Sequence, residues 1–193
     1  MSPGYFYDDP RNGYSPKTVD FPTNTKTLKL GAITKGKFIE SEIKYIDEII
    51  PNDSYLWLKS GDILIQRSNS IDYVGVSAIY NGDDNNFIYP DLMMKVKTVI
   101  GISEKYIHFA LSSKCVREYY RCNASGAQKS MPKINQKTVS STLLPIPPPS
   151  EQKAIVAKVE KLFAYCEELE KQISKSQRES DQLMQSILKE AFG

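Results

Sequence analysis

From Ser150 to Phe192 the chain carries neither glycine nor proline, and directly before that stretch stands Leu144-Pro145-Ile146-Pro147-Pro148-Pro149. A proline-rich segment favours a stiff extended conformation, so it passes the chain out of one body and into a different element. Ser150 is placed to cap a helix, with Glu151 favourably set at the positive end of its dipole. Within that helix Ile155, Val159, Leu162, Cys166, Leu169, Ile173, Ser176, Ser180, Leu183 and Ile187 alternate four and three apart, and Ser176 and Ser180 are the polar members. This is a heptad seam. Val156, Phe163, Met184 and Leu188 widen the stripe beyond a minimal two-stranded contact. A helix over about 151–191 would be on the order of 60 Å long, more than one small body can cover. Packing within one domain is the plainer reading of an apolar stripe, but this length favours pairing with another helix.

The rest of the 193 residues reads as mixed α and β, giving an α+β chain with a globular domain over 1–149 and a long helix over 150–193. Strand-like runs are Tyr55–Leu58, Ile63–Gln66, Val74–Tyr80 and Leu92–Val96, rich in β-branched or aromatic residues. A turn is expected over 81–86. Ser103 is positioned to cap a helix from Glu104, a second helix is expected over Cys115–Arg121, and Asn135 to cap a short one through Val139. No apolar run approaches the ~18 residues of a membrane span, and the first residues lack the basic start and apolar stretch of a signal peptide. Three cysteines, Cys115, Cys122 and Cys166, form no disulfide framework. Reduced thiols suit the cytoplasm, which is the expected location.

The formal net charge of +2 taken alone argues against a nucleic-acid partner. Its distribution reverses that inference. Residues 1–104 are net acidic, whereas between Lys105 and Lys137 seven basic side chains face the single acid Glu118. A basic, tyrosine-bearing stretch within a neutral chain can follow a phosphate backbone.

The residues that carry catalysis are not assembled. His108 is the sole histidine, and a general base needs a nucleophile and an orienting carboxylate nearby. Cys115 and Cys122 lack the short spacing of a zinc site. No phosphate-binding P-loop and no dinucleotide fingerprint occurs. Pro90-Asp91 and Glu42-Ile43-Lys44 are similar to elements of many nucleases, but in reversed order. Pro147-Pro148-Pro149 lacks the preceding Asn or Asp and the following aromatic residue of an amino-methyltransferase loop. The chain reads as non-catalytic.

Two segments read as binding loops. Gln66, Arg67, Ser68, Asn69 and Ser70 follow a strand, with Tyr73 close behind. Short polar side chains around one arginine can hydrogen-bond base edges or phosphates, although a solvated hairpin loop would look much the same. The second loop spans 121–135. Its small residues let backbone N–H groups approach phosphates, while Arg121, Lys129 and Lys133 supply charge. Arg67, Asn69 and Asn123 are candidates for base contact, and Lys114, Arg117, Arg121, Lys129 and Lys133 for phosphate contact. Ser125 and Ser130 complete the candidate surface.

Taken in order, these segments resemble the specificity subunit of type I restriction–modification systems. Residues 144–156, reading LPIPPPSEQKAIV, are similar to that family's proline-rich junction and "EQ" helix start. Gly61-Asp62-Ile63-Leu64-Ile65 is similar to its glycine–aspartate strand, and 126–135 to its glycine-to-asparagine loop. The resemblance covers about 55–190. It implies a target recognition domain that reads one half of a bipartite double-stranded DNA site. The long helix would pair with another to set the distance between halves and would dock the DNA methyltransferase subunits. Those subunits and a restriction/translocase subunit would hold S-adenosylmethionine, ATP and Mg²⁺, none of which is expected on this chain. Family members usually carry two recognition domains and two long helices, whereas this sequence has one of each. It therefore reads either as a half-subunit pairing with a second copy or as the C-terminal half of a longer chain. The alternative is a coiled-coil interaction module whose globular domain binds protein.

Overall fold

A computed structural model describes residues 7–126 and 131–192. The chain divides into two compact units, Met1–Gln152 and Lys153–Gly193.

The first unit is built on two antiparallel sheets. One contains β1 (Arg11–Asn12), β5 (Ile63–Gln66), β6 (Ser77–Ile79) and β7 (Met93–Val96), in the order β1-β7-β5-β6; the other contains β2 (Thr18–Val19), β3 (Thr25–Leu28) and β4 (Ile43–Ile46), in the order β2-β4-β3. β5 is buried along its whole length, as a central strand with a continuous apolar run must be. A parallel bridge between Thr27 and Ile88 joins β3 to the connection between β6 and β7. The core between them gathers Leu28, Ile33, Leu58, Leu64, Tyr80, Phe87, Tyr89 and Met93, and a smaller cluster joins Ile46, Ile50, Leu56, Trp57 and Ile88.

The glycine–aspartate motif has a clear structural role. Gly61 takes φ +89°, the left-handed region that glycine enters without penalty, and its N–H donates to Tyr80 O at 2.9 Å. The buried Asp62 carboxylate then accepts from Lys59 N at 2.9 Å and lies 3.2 Å from Lys95 Nζ. This ion pair fixes β5 against β7.

Three short helices follow: α1 (Glu104–Ser112), α2 (Lys114–Cys122) and α3 (Gln136–Ser140). They are capped by the side chains of Ser103, Ser113 and Asn135. The helix α4 runs 44 residues, Pro149–Phe192. Its start differs from expectation: the Pro148 carbonyl accepts from Glu151 N and Gln152 N at 2.9 and 3.0 Å, so Pro149 occupies the first helical position and Ser150 is no cap. Proline suits that position because the missing N–H would be unpaired there anyway. Gln152, 2% exposed, accepts from Ser103 N at 3.0 Å and donates to Pro147 O at 2.9 Å. The "EQ" glutamine thus ties the first turn of α4 to the cap of α1.

Two expected strands need correction. Tyr55–Leu58 forms turns: Leu56 and Trp57 enter the smaller core cluster, and the Trp57 indole donates to Pro51 O at 2.9 Å. Their apolar character reflects burial, without pairing. Of Val74–Tyr80, only Ser77–Ile79 is strand, because Tyr73 N and Val74 N both return to Ser70 O and Gly75 turns the chain at φ +75°.

In the second unit, Leu162, Leu169, Ile173, Leu183 and Ile187 are 51–62% exposed, and Cys166 is an exposed free thiol. Ile155 and Val159 are half-buried. Among the described residues, no helix is long and apolar enough to cross a membrane.

Candidate nucleic-acid interface

The two candidate loops lie far apart in sequence and meet in space. Ser68 and Ser125 each form an isolated antiparallel bridge with Lys133. Ser125 and Lys133 exchange backbone hydrogen bonds of 2.8 and 2.9 Å, and Ile134 N donates to Arg67 O at 2.9 Å. The end of β5 and the segment leading into α3 therefore form one ridge bearing Arg67, Ser125 and Lys133.

Arg67 crosses this ridge half-buried. Its N–H donates to Leu92 O at 2.9 Å and one terminal guanidinium nitrogen to Asp91 O at 3.2 Å, while its buried Nε has no hydrogen-bond partner. Asp91 is held in turn by Ser15, whose hydroxyl donates to its carboxylate at 2.5 Å. Lys133 and Ser125 are exposed, and the Ser125 hydroxyl reaches Lys133 O at 3.2 Å.

Two candidates are withdrawn from the contact surface by burial. Gln66 is 0% exposed; its amide donates to Leu30 O at 3.1 Å and Thr34 Oγ1 at 2.8 Å and accepts from Asn69 at 2.7 Å. Ser68 is also 0% exposed. The residues following a strand look like a solvated loop in sequence, but here the chain keeps strand-like pairing past the strand end. Asn69, half-buried, also accepts from Ser70 N at 2.7 Å, so it fixes the loop from within. Ser70 is half-buried, and Tyr73 is 43% exposed at the tip.

α2 supplies three of the cationic candidates in different roles. Arg117 donates to Val74 O at 2.5 Å and Asp72 O at 2.8 Å; burial lowers its pKa from the usual arginine value, and the nearby Arg121 adds to that. Expected as a phosphate contact, it instead holds the 70–75 loop. Arg121, 41% exposed, stands 3.9 Å from Asp72. Lys114, 90% exposed, faces Glu118 one turn away at 3.8 Å. Asn123, expected to read bases, is exposed and sends its amide back to Tyr119 O at 2.9 Å. Lys129 and Ser130 lie outside the described residues.

The tyrosines of the basic stretch are largely structural. Tyr120 is fully buried and Tyr106 is 6% exposed. Burial raises the Tyr120 pKa, and its hydroxyl accepts from Thr142 at 3.0 Å. Gly75 packs so closely on the Tyr120 ring that a Cβ would collide with it, so α2 and the loop fit each other through glycine. Sequence reasoning missed Ser15 and Asp91 as the support for Arg67; no local pattern marks a contact between residues so distant. The nuclease-like residues end apart in role, with Asp91 bound to Ser15 and no group of three or more His, Cys, Asp or Glu suited to a metal ion among the described residues.

Comparison with known proteins places the chain among relatives. Residues 11–176 match the family model described as type I restriction modification DNA specificity domain. The chain is 30% identical over 186 residues to the type I restriction enzyme EcoKI specificity subunit of Escherichia coli strain K12, covering 94% of this chain and 39% of that protein. It is 32% identical over 138 residues to the StySPI specificity subunit of Salmonella potsdam, covering 70% of this chain and 29% of that protein. In fold, it matches a chain from a structure concerning complex assembly and conformational transition of the type I R-M system at a TM-score of 0.70 and 18% identity, covering 100% of this chain and 47% of that one. The HsdS subunit from Thermoanaerobacter tengcongensis matches at a TM-score of 0.63 and 20% identity, over 96% of this chain and 50% of that one. The chain thus spans well under half of these curated relatives and about half of the solved chains. With the family model spanning most of its length, the chain belongs to the type I restriction–modification DNA specificity domain family.

Proposed function

We propose that this chain recognises double-stranded DNA by sequence, as the half-subunit or C-terminal half of a type I specificity subunit. It reads one half of a bipartite target and positions the methyltransferase and restriction/translocase subunits, with α4 pairing to a second copy or to another half. The chain itself is non-catalytic and acts in the cytoplasm. S-adenosylmethionine, ATP and Mg²⁺ belong to the partner subunits, where adenine methylation and cleavage take place.

The observation that carries this reading is the convergence of both candidate loops on one ridge. Arg67, Ser125 and Lys133 lie together there, within a domain of this family. Arginine reaches guanine edges bidentately, and lysine reaches phosphates as a point charge.

Electrophoretic binding to duplex pools, with and without methyltransferase subunits, tests the reading. Arg67→Ala should cost roughly 1–3 kcal/mol on the target and relax one position. Lys133→Ala should weaken all duplexes alike and flatten the salt slope by about one unit. Binding only to protein, with no duplex preference, would instead favour the interaction-module alternative.

A further inference from the structure

A cleft of about 760 Å³ opens in the first unit beside the candidate ridge. β2, β3 and β4 and their flanks form one side, and Pro90 and Leu92 the other. Lys17, Lys29 and Lys44 line it. All three are exposed, and among the described residues none of them forms an ion pair. Glu42, half-buried, is the acid in the lining. Thr27 also lines the cleft; it is 4% exposed, and its hydroxyl has no hydrogen-bond partner.

The arrangement of these lysines distinguishes between kinds of anion. Lys17 precedes β2, Lys44 lies within β4 opposite Thr27, and Lys29 follows β3, where its N–H donates to Glu42 O. Because the strand order is β2-β4-β3, the three lysines come from adjacent strands or their immediate flanks, and their backbone positions form a row spanning two strand spacings, roughly 10 Å at ~4.8 Å per strand. A single small anion needs donors converging on one point. A row matches a linear polyanion, which in duplex DNA carries one charge per ~3.4 Å along each strand. The cleft also continues into the candidate interface. Leu92, part of its wall, has the carbonyl that accepts Arg67 N and Ser68 N, and the adjoining Asp91 carbonyl accepts the Arg67 guanidinium.

We propose that this cleft holds the sugar–phosphate backbone of the duplex read at the ridge, with Lys17, Lys29 and Lys44 as its phosphate contacts. The proposal rests on the DNA-reading function above and extends the footprint onto the net acidic part of the sequence. These contacts add affinity without sequence information, and Glu42 opposes them.

The test uses the full chain and measures affinity for target and non-target duplexes across salt. Lys17→Gln, Lys29→Gln and Lys44→Gln combined should weaken both duplexes in parallel, by tenfold or more, and flatten the slope of log affinity against log salt by about two to three units. Each single exchange should account for about one unit, which keeps the test valid if the triple variant folds poorly. Glu42→Gln should tighten both duplexes together. An unchanged slope in the lysine variants, while Arg67→Ala weakens the target, overturns the cleft assignment and leaves the DNA-reading function standing. Saturable binding of inorganic phosphate with an unchanged duplex slope overturns it too, in favour of a small-anion site. A wild-type chain that binds no duplex, with methyltransferase subunits present or absent, overturns the function itself.

Discussion

Arg117 and Gly75 shape the same loop through opposite properties. The arginine contributes two charged hydrogen bonds to the carbonyls of Asp72 and Val74, and the glycine contributes the absence of a Cβ beside Tyr120. Charged hydrogen bonds are among the stronger ones, so Arg117→Ala should lower stability by about 2 kcal/mol in chemical denaturation. It should also weaken target discrimination more than non-target binding, because the loop loses its shape while the phosphate contacts remain. A fall in target and non-target binding alike, at unchanged stability, would make Arg117 a phosphate contact after all. His108 carries a pH signature. It lies half-buried with a ring nitrogen 3.1 Å from the buried Ser77 hydroxyl, and burial lowers its pKa from 6.5. The unfolded chain then takes up this proton at a higher pH than the folded one, so stability falls as pH drops below about 6.5 and into the lowered range. Replacing His108 with Gln should remove that part of the pH dependence in denaturation profiles, and an unchanged difference between pH 7 and pH 5 would contradict it.

Among the elements, legibility followed the source of each one's stability. β5, β7 and helices α1–α3 carry their signal locally, as apolar runs or as Ser and Asn caps, and were readable to within a residue or two. β1–β4 were not. Arg11–Asn12, Thr18–Val19 and Thr25–Leu28 are short and polar, and they become strands only through distant partners such as Lys95, Ile46 and Tyr45. The candidate site divides in the same way. Arg67, Lys133 and the two loops were visible as residue types, but burial of Gln66 and Ser68 depends on pairing that no local pattern announces. α4 was the most legible element, since its period repeats over many turns. Its open seam makes a clear expectation: the isolated chain forms a dimer by light scattering, and Leu169→Lys with Ile173→Lys returns it to monomer. Converting Ser176 and Ser180 to leucine should stabilise the dimer against dilution. A monomeric wild-type chain would contradict self-pairing and would direct the search to a separate other half.

At the scale of the whole molecule, a sheet-based domain that presents two converging loops is followed along the chain by a long helix with an exposed apolar seam. The near-neutral net charge says little about its partner, because opposite local excesses cancel in the sum. Arg67 and Lys133 share one ridge although more than sixty residues separate them, and this convergence makes sequence-specific reading physically reasonable. The most direct test is selection from a pool of random duplexes with the full chain, with methyltransferase subunits present and absent. Sequence-specific reading requires enrichment of one short contiguous motif per chain, with Arg67→Ala losing preference at a single position of that motif. Recovery of an unbiased pool from the wild-type chain under both conditions would contradict it.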